Sequence, residues 1–133
     1  MTTEPLKGFV EGSLKRSDQA LKAATTLLEN GLLADAVSRA YYAMFHAVTA
    51  ILYHNGIRAK SHSSAITLFS EHIVKKGIVD KEAGKSLRKA FDLRQKSDYG
   101  IDVEYPVEVV EDLIRDAEKF IKRIKMALGL ITE

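Results

Sequence analysis

The chain has 133 residues, with 20 Lys and Arg against 18 Asp and Glu, a formal net charge of +2 and no Cys. This length suits one domain, residues 1–133, with a buried core of its own. The lack of Cys excludes disulfides and thiolate chemistry, and the small net charge gives no argument for nucleic acid or membrane binding from the overall field. There is no secretory signal pattern and no apolar run near the roughly 20 residues that span a bilayer. We therefore expect a cytoplasmic protein.

The first two predicted helices each end at an Asn-Gly pair. Apolar residues recur at helical spacing from about Gly8 or Ser13 to Glu29, and Asn30-Gly31 follows as a strong stop. A second, broader apolar stripe runs over about residues 33–54, ahead of a second Asn-Gly pair. Both patterns predict amphipathic helices that bury one face.

Three further helices are predicted after a basic loop. Ser61 or Ser63 can cap a helix over about residues 64–76, and Asp80 can cap the next, which extends to about residue 98. A loop at 100–105 leads to Pro106 in the first turn of a last helix that continues to about residue 128. Because the connections are short, neighbouring helices should run antiparallel, so we predict an all-α, up-and-down bundle of about five helices.

The second helix carries a polar stripe beside its apolar one. Arg39, Tyr42 and His46 are related by steps of three and four residues, so they share one face. They either line a polar groove or are boundary residues without a function, because Tyr and His are often only partly buried.

The fourth helix and the loop before the third supply the other candidate residues. Arg94 and Asp98 are four apart and can pair within the helix, either as part of a site or as a solvated surface pair. In the loop, Lys60 and His62 form a small basic surface for phosphates or an ordinary exposed turn. No phosphate-binding loop, metalloprotease motif or nucleophile elbow occurs, so we predict no metal and no cofactor.

Four segments, taken together and in order, resemble a known family. They are SRAYYAMFHA at 38–47, KSHS at 60–63, LFSEH at 68–72 and LRQKSDYG at 93–100. In order and spacing they are similar to a small prokaryotic subgroup of the HEPN domains, whose name stands for higher eukaryotes and prokaryotes nucleotide-binding. The resemblance covers the chain from about Leu14 to Leu128.

The resemblance implies a helical bundle that forms a homodimer and works beside a minimal nucleotidyltransferase, in a toxin–antitoxin-type pair. Active HEPN toxins are metal-independent ribonucleases, with an Arg followed after four to six residues by a His. In the chemistry proposed for them, the Arg stabilises charge on the phosphate and the His handles protons.

This chain departs from that motif. Arg94 aligns with the motif arginine, but Tyr99 stands five positions later, where a His would be expected. A phenol with a pKa near 10 is a poor general base at pH 7. In the related toxins, the partner enzyme can modify a tyrosine near this motif with AMP. The resemblance makes Tyr99 the candidate for this modification here. His46 is the imidazole that could replace the missing base if it faces Arg94.

Two functions follow from these residues and the resemblance. The first is nucleotide or RNA binding through Arg39, Tyr42, Lys60, His62, Arg94 and Asp98, in a pair with a minimal nucleotidyltransferase. The alternative is a metal-independent ribonuclease toxin that uses Arg94 with His46 or Tyr99. A purely structural dimerisation bundle is a third possibility.

Overall fold

The structure, a computed structural model, describes residues 4–99 and 103–132. Helices α1 and α2 are followed by a shorter α3, which continues into a π-helical segment, and then by α4 and α5. Their bounds are Glu4–Glu29 for α1, Leu33–His54 for α2, His62–Phe69 for α3, Ser70–Val74 for the π-helical segment, Lys81–Tyr99 for α4 and Val107–Ala127 for α5. No strand occurs in these two ranges. The predicted all-α bundle of five helices is confirmed.

Helix α2 lies at the centre of the bundle and contacts α1, α3, α4 and α5. Its predicted apolar stripe is fully buried, since each of its members is at most 1% exposed; these are Val37, Ala40, Tyr41, Met44, Val48, Ile51 and Leu52. Small residues let α1 approach closely, and the buried Ser17 hydroxyl donates to the Ala43 carbonyl at 2.6 Å. Burial of this stripe is the main stabilising term for α2.

The helix ends follow the predicted signals. Gly31 and Gly56, two residues past the ends of α1 and α2, have φ of 74° and 75°, a conformation that favours glycine. Of the two candidate caps of α3, Ser61 is the one used: its side chain accepts from the Ser64 N–H at 3.1 Å. Asp80 caps α4 by accepting from the Ala83 N–H at 3.1 Å. These caps fix where the site-bearing helices begin.

Three predicted boundaries differ from the structure. Helix α1 already begins at Glu4, because a Pro at position 5 suits a first helical turn. The third helix does not stay α-helical to residue 76 but becomes π-helical at Ser70. Apolar spacing does not distinguish the two helix types over one turn. Pro106 lies one residue before α5 rather than inside it.

The predicted loop at 100–105 lies partly outside the described residues, which resume at Val103 without regular structure. In the ranges that the structure covers, no helix is both long and apolar enough to cross a membrane.

Candidate functional site

Helices α2 and α4 bring Arg94 against two adjacent tyrosines. Arg94 Nη2 donates to the Tyr42 hydroxyl at 3.0 Å, and the guanidinium carbon lies 5.1 Å from the Tyr42 ring centroid and 5.3 Å from that of Tyr41. Asp98 Oδ2, one turn further along α4, lies 3.2 Å from the same Nη2. The predicted pairing of Arg94 with Asp98 is confirmed. We call this group, together with His62, the Arg94 centre.

His62 reaches the centre from the first position of α3. Its Nδ1 lies 2.7 Å from the Tyr41 hydroxyl, and its ring stacks on Phe45 with centroids 4.1 Å apart and an interplanar angle of 19°. The ring also meets Tyr42 edge-on at 5.8 Å. Because Ser61 caps α3 immediately before it, the start of the helix holds His62 against α2.

The direction of the Tyr41–His62 hydrogen bond follows from burial. Tyr41 is 0% exposed, and burial raises the pKa of its phenol far above the usual 10, so the hydroxyl keeps its proton. Among the described residues, His62 Nδ1 is the one hydrogen-bond partner of this hydroxyl. We therefore assign Tyr41 as the donor and Nδ1 as the acceptor, which leaves the proton of neutral His62 on Nε2.

The neutral form of His62 is favoured by its surroundings. Burial is the main cause that lowers the pKa of His62, and the positive charge of Arg94 lowers it further. The Asp98 carboxylate acts in the opposite direction and is the smaller influence.

The predicted polar stripe on α2 is present beside the centre. The guanidinium carbon of Arg39 lies 5.1 Å from the Tyr42 ring centroid, and the His46 ring lies 6.4 Å from it. Burial lowers the pKa of His46, and the charges of Arg16 and Arg39 lower it further. Both imidazoles therefore favour the neutral form next to several cations.

Arg94 is only partly satisfied by the protein. Its side chain is 19% exposed, and its two polar contacts with residues that the structure describes both use Nη2. Its buried Nε has no hydrogen-bond partner among the described residues. A guanidinium held in this way, with five donors and one nearby carboxylate, can accept a further planar or tetrahedral anion.

The remaining predicted site residues are less informative. Lys60 is exposed in the loop, two residues before His62. The side chain of Tyr99 lies outside the described residues. The structure thus gathers Arg39, Tyr42, His62, Arg94 and Asp98, with His46 at the margin, while their roles stay predictions. Within the described ranges, no cluster of three His, Asp or Glu side chains could hold a metal ion.

Sequence reasoning missed one member of the centre, Tyr41, and one residue that supports it, Phe45. Tyr41 was assigned to the apolar stripe, where its ring indeed packs, but its hydroxyl holds His62. Phe45 supplies the surface on which His62 stacks. A buried tyrosine hydroxyl usually needs a partner, which is a signal in the sequence, but the identity of a partner 21 residues away is not.

Fold and site together define a five-helix domain with an arginine–tyrosine–histidine centre between its second and fourth helices. The HEPN domain model matches residues 10–127. The chain therefore belongs to the HEPN domain family.

Relatives match over nearly the whole chain. A Methanocaldococcus jannaschii protein named "Putative toxin MJ0605" is 37% identical over 128 residues, covering 96% of this chain and 95% of the relative. A "UPF0332 protein" of Thermotoga maritima is 40% identical over 117 residues, which cover 88% of this chain and 89% of the relative. A second M. jannaschii protein, "Putative toxin MJ0142", is 30% identical over 122 residues, which cover 92% of this chain and 83% of the relative.

Proposed function

We propose that the Arg94 centre binds a phosphate group of RNA or of a nucleotide. The observation that carries this proposal is the largely buried guanidinium, whose polar contacts with the described residues both use Nη2 and leave Nη1 without a described partner. Charge-assisted hydrogen bonds from Arg to phosphate are strong in partly desolvated sites. Asp98 orients Arg94, and a phosphate would add contacts that the described residues do not supply.

The hydrogen bonding of His62 fits this role. With Nδ1 accepting from Tyr41, the Nε2–H is a donor, which suits a phosphate oxygen. Arg39 and Lys60, both exposed, add positive charge around the centre, and Tyr42 offers a ring for stacking on a base.

The test is binding of a short fluorescein-labelled single-stranded RNA, followed by fluorescence anisotropy at low salt. We expect Arg94→Ala to weaken binding by about tenfold or more, the loss typical of a charge-assisted hydrogen bond. Arg115→Ala is the matched control, because Arg115 is exposed on α5 and its ion pair is with Asp112, one turn earlier on the same helix. Equal affinities of wild type and Arg94→Ala, with both folded by circular dichroism, would refute the proposal.

We further propose that the protein is a homodimer and one component of a toxin–antitoxin-type pair with a minimal nucleotidyltransferase. Membership of the HEPN family and the name "Putative toxin" of two relatives support this. Light scattering of the purified chain should give a dimer. Co-expression with a minimal nucleotidyltransferase from the same genome should give a stable complex; a monomer, or two proteins that elute separately, would argue against it.

A second candidate function is metal-independent RNA cleavage. The observation in its favour is that two imidazoles with lowered pKa, His46 and His62, flank Tyr42 next to Arg94. In this reaction the 2′-oxygen bonds to phosphorus and loses its proton to a base, while the P–O5′ bond breaks and O5′ gains a proton. His46 is the predicted base and Tyr99 a further predicted catalytic residue, and His62 is a second imidazole that could move protons here.

The two functions separate in one assay. RNA is incubated in EDTA with wild type, Arg94→Ala, His62→Gln and His46→Gln. Cleavage that is lost in Arg94→Ala would establish the nuclease, and the two histidine variants would identify the acid–base groups. Binding without cleavage would leave the centre as a phosphate-binding site.

A further inference from the structure

A long groove runs along α4 on a surface that the Arg94 centre does not use. It lies between α4 and the α3–π-helical segment, and its volume is about 850 Å³. Arg94, Tyr42 and His62 are not among its lining residues. We call it the α4 groove.

The rim of the α4 groove is strongly basic. It carries six exposed cations and two carboxylates, Glu71 and Asp92; the cations are Lys75, Lys81, Lys85, Arg88, Lys89 and Lys96. This excess of four positive charges compares with a formal net charge of only +2 for the whole chain. Positive charge is therefore concentrated along this one surface.

The floor of the groove is apolar. Ile66, Phe69 and Val74 contribute from one wall, and Leu87 and Leu93 from α4. Val74 and Leu93 are the partly exposed members, whereas the other three are at most 5% exposed. Phe69 is 1% exposed, so its ring offers no face on which a base could stack. An apolar floor inside a ring of cations favours a ligand that is itself apolar on one side and acidic on the other.

A glycine keeps part of this floor open. Gly84 lies inside α4, where glycine costs about 0.5–1 kcal/mol relative to alanine. A Cβ at this position would lie 3.5 Å from Val74 Cγ2, an ordinary van der Waals contact, and the φ of Gly84 is not positive. Packing therefore does not require glycine here, whereas a large side chain would fill the groove.

The opposite wall is the π-helical segment. Ser70, Glu71 and Val74 of this segment all line the groove. Short π-helical turns are rare and occur frequently at functional sites. Two locally unfavourable features, a mid-helix glycine and a π-helical turn, thus face the same space.

We propose that the α4 groove binds an acidic amphipathic helix of a partner protein. The lining residues of α4 extend from Lys81 to Lys96, about 22 Å of helix or four turns. Leucine-type side chains would cover the apolar floor, and Glu or Asp at the edges would pair with the rim. RNA fits less well, because Phe69 is the one aromatic residue among the described residues that line the groove, and it has no exposed face for a base.

The probe is a fluorescein-labelled peptide of about 15 residues, with Leu at positions i, i+3, i+4 and i+7 and Glu elsewhere. Its binding to the full chain is measured by anisotropy at low salt. We expect saturable binding that Lys81→Glu/Lys89→Glu and Gly84→Leu each weaken about tenfold or more, as expected for lost hot-spot contacts. Gly84→Ala and Lys122→Glu, the latter exposed on α5 outside the groove, should bind as wild type does.

Two further probes make the test specific. A peptide with Lys in place of Glu, and a single-stranded RNA of similar length, should not compete for the groove. Arg94→Ala should leave peptide affinity unchanged, so failure of the phosphate-binding proposal and failure of this one are distinguishable. Absent peptide binding, equal binding by Gly84→Leu and Gly84→Ala, or displacement of the peptide by RNA would each overturn the proposal.

Discussion

The Tyr41 hydroxyl lies 2.7 Å from Nδ1 of His62, although the two residues belong to different helices and are 21 positions apart. Tyr41 is in the fully buried face of α2, and His62 opens α3. This hydrogen bond therefore ties the start of α3 to the central helix and fixes the imidazole beside Arg94. It is also the contact that sets which nitrogen of His62 carries the proton.

Tyr41→Phe removes only the hydroxyl and leaves His62 Nδ1 without its donor. We expect it to lower the free energy of unfolding by about 1–2 kcal/mol, the cost of a lost buried hydrogen bond. Urea denaturation followed by circular dichroism measures this change. Tyr53→Phe is the control, since the Tyr53 ring packs on Phe9 and is only half-buried. Equal stabilities of the two variants would show that the Tyr41–His62 bond contributes nothing.

The stability of the protein should depend on pH through its two partly buried imidazoles, His46 and His62. The pKa values of His46 and His62 are lowered from 6.5 in the folded state, so the unfolded chain binds protons first as the pH falls. Their contribution is complete above about pH 6.5 and is lost as the pH falls through the lower, folded-state values.

The measurement is the free energy of unfolding at about pH 7.5 and about pH 5, on either side of the ordinary His value. The double variant His46→Asn/His62→Gln should lose less stability over this range than wild type does. Parallel losses in both proteins would mean that carboxylates alone cause the pH dependence.

Most of the fold could be predicted from the sequence, because its signals are local. Apolar spacing, the Asn-Gly stops and Asp80 each act within one helix or at its end, and the structure has them where they were expected. The π-helical turn at Ser70–Val74 could not be predicted, since Phe69 and Ile73 are spaced equally well for either helix type.

The candidate site was predictable only within each helix. Arg39, Tyr42 and His46 share a face, and Arg94 pairs with Asp98, as helical spacing required. That His62 lies on Phe45 depends on how the loop brings α3 back to α2, which no local pattern specifies.

The shape of the guanidinium, in addition to its charge, should matter at position 94. Arg94→Lys keeps the cation but loses the planar guanidinium, whose Nη2 contacts Tyr42 and Asp98 while its other donors can reach a phosphate, so RNA affinity should fall about tenfold. Arg39→Lys, at an exposed position beside the same tyrosine, should cost less. Anisotropy titrations compare the RNA affinities of the two variants directly. A larger loss of affinity in Arg39→Lys than in Arg94→Lys would place the phosphate at Arg39.

The most direct test of phosphate binding observes Arg94 itself. Its buried Nε–H is well protected from exchange with water and should give a resolved side-chain signal in ¹⁵N-edited NMR spectra. During titration with a short uridine oligonucleotide, this signal should shift saturably, with the affinity found by anisotropy, while that of Arg115 stays in place. A saturable shift of backbone signals elsewhere, with the Arg94 signal unmoved, would contradict the account.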